Sequence, residues 1–313
     1  VYTYSLTPTA LEDGWTGWLL SGGFSMNRAK SYARTSLAAL ALANAGDGLL
    51  ENALNSAAQS EQETGTFLQT GYENASHNTG SSIRLHATTA MAGLYAKTGD
   101  MIGGAYARYA YGDYNTHPVH TESYAYSWAG GLFGAWNATQ RLQLLADARV
   151  GWQSTSYGGS YQTGASFDYE SVFTSFQTAA QYALCQELTA DARLRWTHIS
   201  GDSLTDNLGE HIFLSGSDSL LGSIGLAYQP QALAFGYFAP RLKAELLHEF
   251  NGRATAWVEG YRVGGTSLRG TTGRGTLGLQ YNHPKGFYAD LSGFWEGGQM
   301  EGWGVKAQAA LRF

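Results

Sequence analysis

Eight basic side chains in this sequence recur where they could act together. Arg84, Arg108, Arg141, Arg149, Arg193, Arg195, Arg241 and Lys243 lie in segments of alternating polarity, mostly on the parity opposite to the apolar residues. Asp147, Asp191 and Glu245 are interleaved with them. A guanidinium presents a planar fork of donors, so such a row could hold carbonyls or carboxylates in a low-dielectric interior. Hydrolytic chemistry finds less support. No Gly-x-Ser-x-Gly segment occurs, and His86, His198, His211, His248 and His283 are dispersed rather than set at triad or metal-ligand spacing. Cys185 is the single cysteine, which excludes an internal disulfide and every multi-cysteine metal motif. Gly264-Gly265 and Gly270–Gly275, with Arg269 and Arg274, would suit a phosphate loop only if a helix followed. Alternating segments flank them instead, so an exposed hairpin explains them better. No metal and no cofactor is expected.

The elements that position these side chains follow from composition and periodicity. The chain has 313 residues, a formal net charge of −6, 41 Gly, 20 Tyr and 9 Trp. Charged residues make up 14% and aromatic residues 13%, and the charged share of a soluble domain is roughly 25%. No apolar run reaches the ~18–20 residues that a membrane-crossing helix needs. That profile is expected of a transmembrane β-barrel, with a large soluble all-β protein as the alternative. The slightly acidic balance gives no support for nucleic-acid binding. One thiol suits a protein that crosses an oxidising compartment, and any secretion signal is expected upstream of Val1.

Residues 1–26 alternate Tyr, Leu and Trp with polar residues and are broken by Pro8 and Gly14, which predicts short strands. From Asn27, a candidate cap, Ala29, Tyr32, Ala33, Leu37, Leu40 and Leu42 fall at helical spacing through Asn44. Ala45-Gly46-Asp47-Gly48 interrupts, and a second helical patch carries Leu49, Leu50, Leu54, Ala57 and Ala58. Arg28, Lys30, Arg34, Asp47 and Glu51 are unsuited to lipid, so this helix is expected in the lumen of the barrel that follows. A surface helix of a soluble domain is the alternative. Beyond Gly65, twelve alternating segments are separated by turn residues. In the last, Trp303, Val305, Ala307, Ala309, Leu311 and Phe313 alternate with small, polar or charged residues to the end of the chain.

Two regularities raise this above a string of strands. Connections after the second, fourth, sixth and tenth segments are short, as periplasmic turns of outer-membrane barrels are, and the one around Gln229–Leu233 is somewhat longer. The even segments also end on aromatics: Tyr95, Trp136, Tyr182, Tyr228, Tyr281 and Phe313, with Leu311 one outward step before the last. Six aromatics at one level predict an interfacial girdle on the short-turn side, and place the C-terminus there.

The ordered set resembles the translocator domain of monomeric autotransporters (type V secretion). The stretches that carry the resemblance are Tyr106-Ala107-Arg108-Tyr109-Ala110-Tyr111-Gly112-Asp113, Asp218 to Leu226, Leu246-Leu247-His248-Glu249-Phe250 and Gly302-Trp303-Gly304. Residues 1–20 are similar to the last rungs of a β-helical passenger, with Trp18-Leu19 as the terminal pair. The resemblance implies an all-β fold: a 12-stranded antiparallel transmembrane β-barrel with an N-terminal α-helix inside the lumen. Residues 1–26 would be the end of the passenger and its junction, 27–64 the linker and pore-spanning helix, and 65–313 the translocator. It implies a monomer in the outer membrane of a Gram-negative bacterium, C-terminus periplasmic and passenger at the cell surface. Implied partners are outer-membrane lipid, its own N-terminal passenger, the barrel-assembly machinery and periplasmic chaperones, with Leu311 and Phe313 in the assembly signal. Leu311 stands where the family more often has an aromatic. Some relatives cut their own passenger inside the lumen, which makes Asn44, Asn52 and Asn55 candidate scissile residues and Asp147, Asp191 and Glu245 candidate assisting acids. Hydration of a helix is the plainer role for these asparagines. Two alternatives from other classes are a small outer-membrane porin or channel and a barrel-embedded hydrolase. Twelve strands are fewer than the 16–18 that leave a wide aqueous pore.

Overall fold

A computed structural model describes residues 2–10, 16–24, 26–46, 48–58, 63–79, 82–116, 121, 123–158 and 164–313; side chains are described from Lys30 onward, those of residues 52, 53, 55, 56, 58 and 265 excepted. The chain opens with β1 (Tyr2–Ala10) and β2 (Thr16–Phe24), which pair antiparallel with Pro8 opposite Trp18. That is a hairpin, whereas rungs of a β-helix would run parallel. Two helices follow, α1 (Met26–Asn44) and α2 (Leu49–Ala58), parted at Gly46 and Gly48, which both take positive φ. A left-handed backbone is open to glycine without steric cost, so the break lies where the sequence permits it.

Seven long strands come next: β3 (Thr64–Asn78), β4 (Ser82–Thr98), β5 (Met101–Thr116), β6 (Ser123–Asn137), β7 (Leu142–Gly158), β8 (Ser166–Ala183) and β9 (Leu188–Ile199). The short pair β10 (Asp202–Thr205) and β11 (His211–Leu214) precedes β12 (Ser217–Tyr228) and β13 (Phe238–Glu249). A second short pair, β14 (Arg253–Val258) and β15 (Tyr261–Ser267), leads to β16 (Gly270–Asn282), β17 (Phe287–Gly298) and β18 (Met300–Arg312). The twelve long strands close in the order β12-β13-β16-β17-β18-β3-β4-β5-β6-β7-β8-β9. Closure joins the last strand to the first, with Arg312 opposite Gly65 and Met300 opposite His77. A closed ring has no unpaired edge, which is what lets strands cross a hydrocarbon layer. No described helix is long and apolar enough to cross a membrane.

Outside, the barrel shows a belt of exposed Leu, Ile and Val, including Leu132, Val150, Leu194, Ile224, Leu277, Leu291 and Val305. Aromatics bound it. Trp128 and Trp136 are both exposed on β6; eight steps of about 3.4 Å, shortened by strand tilt, come close to the ~25 Å apolar band of such barrels. At the turn end, Trp136, Tyr182, Tyr228 and Phe313 are exposed, and Tyr281 is half-buried among outward aromatics.

The sequence reading needs correction at several points. Tyr95 is buried and points inward, not into the girdle, while Arg84 is exposed on the outward parity and does not line the lumen. Both errors have one cause. On β4 the apolar row Ile83, Leu85, Ala87 and Met91 is buried inside, because the lumen here is filled by helix rather than water. In addition, Gly270–Gly275 belongs to β16 and not to a loop, with Arg274 buried inside. The long connections also hold more structure than expected: β10, β11, β14 and β15 form a separate four-stranded sheet. Its Ile212, Leu214, Ala254, Ala256, Val258 and Val263 share a buried cluster with α1, so the sheet roofs the lumen at the loop end. At that same end β3 and β4, and β17 and β18, are separated by only a few residues in sequence, so loops are not long all round.

Candidate functional site

The site is the lumen and the two helices within it. Every residue from Ser31 to Ala43 is buried, most of them completely. An amphipathic surface helix keeps one wet face; this one is enclosed all round. Its residues are small enough for that, with Ala33, Ser36, Ala38, Ala39, Ala41 and Ala43 leaving room for the wall to close in.

The wall holds α1 by its ends. At the loop end, Tyr32 donates through its hydroxyl to Asp206 Oδ2 at 3.2 Å, and the Ser31 and Tyr157 hydroxyls meet at 2.7 Å. Tyr32, Tyr157 and Phe167 pack as an aromatic triad around that contact. Farther along, Gln153 Nε2 donates to Ala39 O at 3.1 Å. At the other end, the last carbonyls of a helix have no intrahelical partner and carry the negative pole of its dipole. Here arginines supply the donors: Arg108 Nη2 reaches Leu42 O at 2.9 Å and Ala45 O at 2.8 Å, and Arg149 Nη2 reaches Ala43 O at 3.0 Å. Backbone bonded by a charged donor inside a low dielectric is held far more firmly than at a surface.

Below the Gly46 break, α2 presents Glu51 to a basic cluster. Its carboxylate lies 3.0 Å from Lys243 Nζ, 3.6 Å from Arg241 and 3.7 Å from Arg193, and accepts from Gln181 at 3.1 Å. Lys243 also meets Asp191 at 3.2 Å and Glu245 at 3.0 Å, while Arg193 meets Glu245 at 3.2 Å. Buried charges persist only when paired and hydrogen-bonded, and this network meets that condition with α2 in place. Arg141, expected in the lumen, is exposed at the turn-end mouth. There a polar vestibule of about 810 Å³, lined by Arg141, Gln143, Gln181, Asp191 and Arg241 among others, lies below α2. Arg195 is inward and buried, bonded to Gln177.

Asn44, the candidate scissile residue whose side chain is described, is not brought together with the candidate acids. Asn44 donates to Ser219 Oγ at 3.2 Å and accepts from Thr197 Oγ1 at 2.8 Å. Asp147 accepts from the Tyr106 hydroxyl at 2.5 Å, and Asp191 and Glu245 are engaged by Lys243. The side chains of Asn52 and Asn55 lie outside the described residues. The acid nearest Asn44 through hydrogen bonds is Glu249, which accepts from Ser219 Oγ at 2.6 Å. Sequence reading missed Thr197, Ser219 and Glu249, and placed Gln153 on the polar parity beside Arg149 without giving it a role. Glu249 shares parity with Lys243 and Glu245 and could have been found; lone hydroxyls carry no such signal. Among the described residues no His, Cys, Asp and Glu side chains gather as a metal site.

A barrel of this strand number whose own upstream helix fills it has a counterpart among known families. The profile described as "Autotransporter beta-domain" matches residues 64–293. The chain belongs to that family. As an autotransporter β-domain it is the outer-membrane translocator that anchors an N-terminal passenger and delivers it to the cell surface. Solved structures agree on the fold. The translocator domain of NalP from Neisseria meningitidis is 15% identical, with a TM-score of 0.69 over 91% of this chain and 98% of that one. The transport unit of AIDA-I from Escherichia coli gives 14%, 0.65, 91% and 98%, and the β-domain of Bordetella BrkA gives 15%, 0.63, 80% and 100%. A comparison with curated protein sequences finds no match.

Proposed function

We propose that residues 27–64 of this autotransporter domain are the tether of the transported passenger, parked as a plug that closes the lumen after transport. The observation that carries this is the burial of α1 on every side from Ser31 to Ala43. In this reading residues 1–26 are the junction to the passenger and 65–313 the barrel, a monomer. The loop end faces outward from the cell and the turn end faces the periplasm. Short turns and the position of Phe313 at that end support this orientation. Deleting residues 27–60 tests the plug. The reconstituted barrel is expected to conduct ions at least severalfold better than the intact chain, and unchanged conductance would overturn the reading.

The asparagine at the break is proposed to hold rather than to cleave. What supports this is the clasp of Asn44 between Thr197 and Ser219, with Asp147, Asp191 and Glu245 occupied elsewhere. Mass spectrometry of the protein extended by its native upstream region checks it. An intact chain is expected, and a new N-terminus at Ala45 would assign Asn44 the opposite role. The assembly machinery and chaperones are proposed to meet the terminal strand, whose outward row ends at Leu311 and Phe313, both exposed.

A further inference from the structure

Five connections join strands at the turn end, and four of them are short and carry a charge: Asp100, Arg141, Glu187 and Lys285. The fifth, between β12 and β13, differs in every respect. From Gln229 to Pro240 it has no charged residue, and it raises Leu233, Phe235 and Tyr237 clear of the barrel, each at least half exposed.

This loop is built, not loose. A turn of 3-10 helix spans Gln231–Leu233. Phe235 and Phe238 exchange backbone hydrogen bonds at 3.0 Å across Gly236, whose φ of 60° suits a tight tip. Glu187 takes the Gln231 amide at 2.8 Å, and Tyr237 O accepts from the Asn282 amide at 2.9 Å. Fixed backbone of this kind holds its apolar side chains in water at a standing cost unless something covers them. Their neighbours say what covers them. Phe235 stacks on Phe238 at 5.2 Å, Phe238 meets Tyr281 at a tilt at 4.9 Å, and Tyr237 meets His283 at 5.1 Å. Tyr281 is a girdle residue, so the loop continues the girdle downward and outward without a break.

We propose that residues 229–237 form an interfacial foot, seated among the headgroups and glycerol backbones of the lipid leaflet at the turn end. The surface is uncharged, aromatic and tipped with amide and phenol groups, which is the chemistry that partitions to that layer. It makes the barrel's grip on this leaflet one-sided, on the arc from β12 to β17. This rests on the barrel being membrane-embedded, which flotation of the same labelled vesicles, together with heat-dependent gel migration, reports separately.

The test uses the full chain in vesicles of phosphatidylethanolamine and phosphatidylglycerol. With Cys185→Ser as background, nitroxides are placed by Phe235→Cys or Leu233→Cys, and by Thr139→Cys in a short, charged turn as the control. Collision with oxygen over collision with a water-soluble nickel chelate is expected to be severalfold higher at 233 and 235 than at 139. Equal nickel access at all three sites, in protein that still migrates as a folded barrel, overturns the proposal. Shielding that arises only after periplasmic extract is added overturns it too, because the surface would then belong to a protein partner.

Discussion

Arg108 is 1% exposed and donates to two carbonyls at the end of α1, so removing it leaves both without the charged donor that now serves them. Charge-assisted bonds contribute about 1.5–3 kcal/mol each, and Arg149 on Ala43 is the remaining donor of this kind. Arg108→Ala is therefore expected to loosen the plug while leaving the barrel closed. Planar-bilayer recordings should show more frequent open events, and hydrogen exchange should speed up at residues 42–46 before it does in β5. Unchanged exchange there would mean the wall packs α1 without needing the arginine. Glu51 is the corresponding residue of α2, one carboxylate facing three cations. The basic wall was legible from parity for Arg149, Arg193, Arg195, Arg241 and Lys243, because strand alternation assigns a face without knowing the neighbours. Arg84 and Tyr95 were not. Alternation says that two faces differ, but which face points inward depends on what fills the lumen. On β4 the filler is apolar, so the rule of apolar residues outward reverses. Near the loop end an exposed arginine such as Arg84 can also stand clear of hydrocarbon.

Helices and strands differ in how far the sequence defines them. The twelve barrel strands were foreseeable, since most are long and show their period of two over many residues. The Gly46 break was foreseeable too, and its geometry explains it: a Cβ there would lie 2.9 Å from Leu49 and Thr89 side-chain atoms. The four-stranded roof was not. β10 and β11 have four residues each, too few for periodicity to speak, and their stability comes from packing on α1. The terminal strand combines both kinds of information. Its backbone is tied by the Phe313 amide to Thr64 O at 3.1 Å and by the Thr64 hydroxyl to Phe313 O at 2.7 Å. Its outward side chain is unencumbered at 69% exposure. A ring that contributes so little packing to the finished barrel is free to serve recognition. Deleting Phe313 is expected to cut the yield of membrane-inserted protein in cells severalfold, while protein refolded in detergent keeps its thermal transition within a few degrees. Equal insertion with and without the residue would limit it to closing the ring.

At the scale of the whole molecule, two apolar surfaces face opposite ways. One is the exposed belt, suited to lipid; the other is the pair of clusters around α1 and α2 inside the ring. Such a ring has every strand paired on both sides, so it should survive detergent at room temperature. Unboiled protein is expected to run faster on a gel than boiled protein, and migration indifferent to heating would contradict a closed barrel. The threading of the chain has a mechanical side. The polypeptide passes down the lumen from the loop end as α1 and then α2, and β3 starts at the turn end and runs back up within the wall. Beyond the β1–β2 hairpin, a pull on the passenger side does not peel a barrel strand from an edge, because the closed ring has none. The load travels through the plug to the start of β3 and tugs that strand lengthwise, against the ladders it shares with β18 and β4. Hydrogen bonds in such ladders are strained together in shear rather than opened one at a time. Drag on a large object outside the cell would thus meet the strongest direction of the barrel.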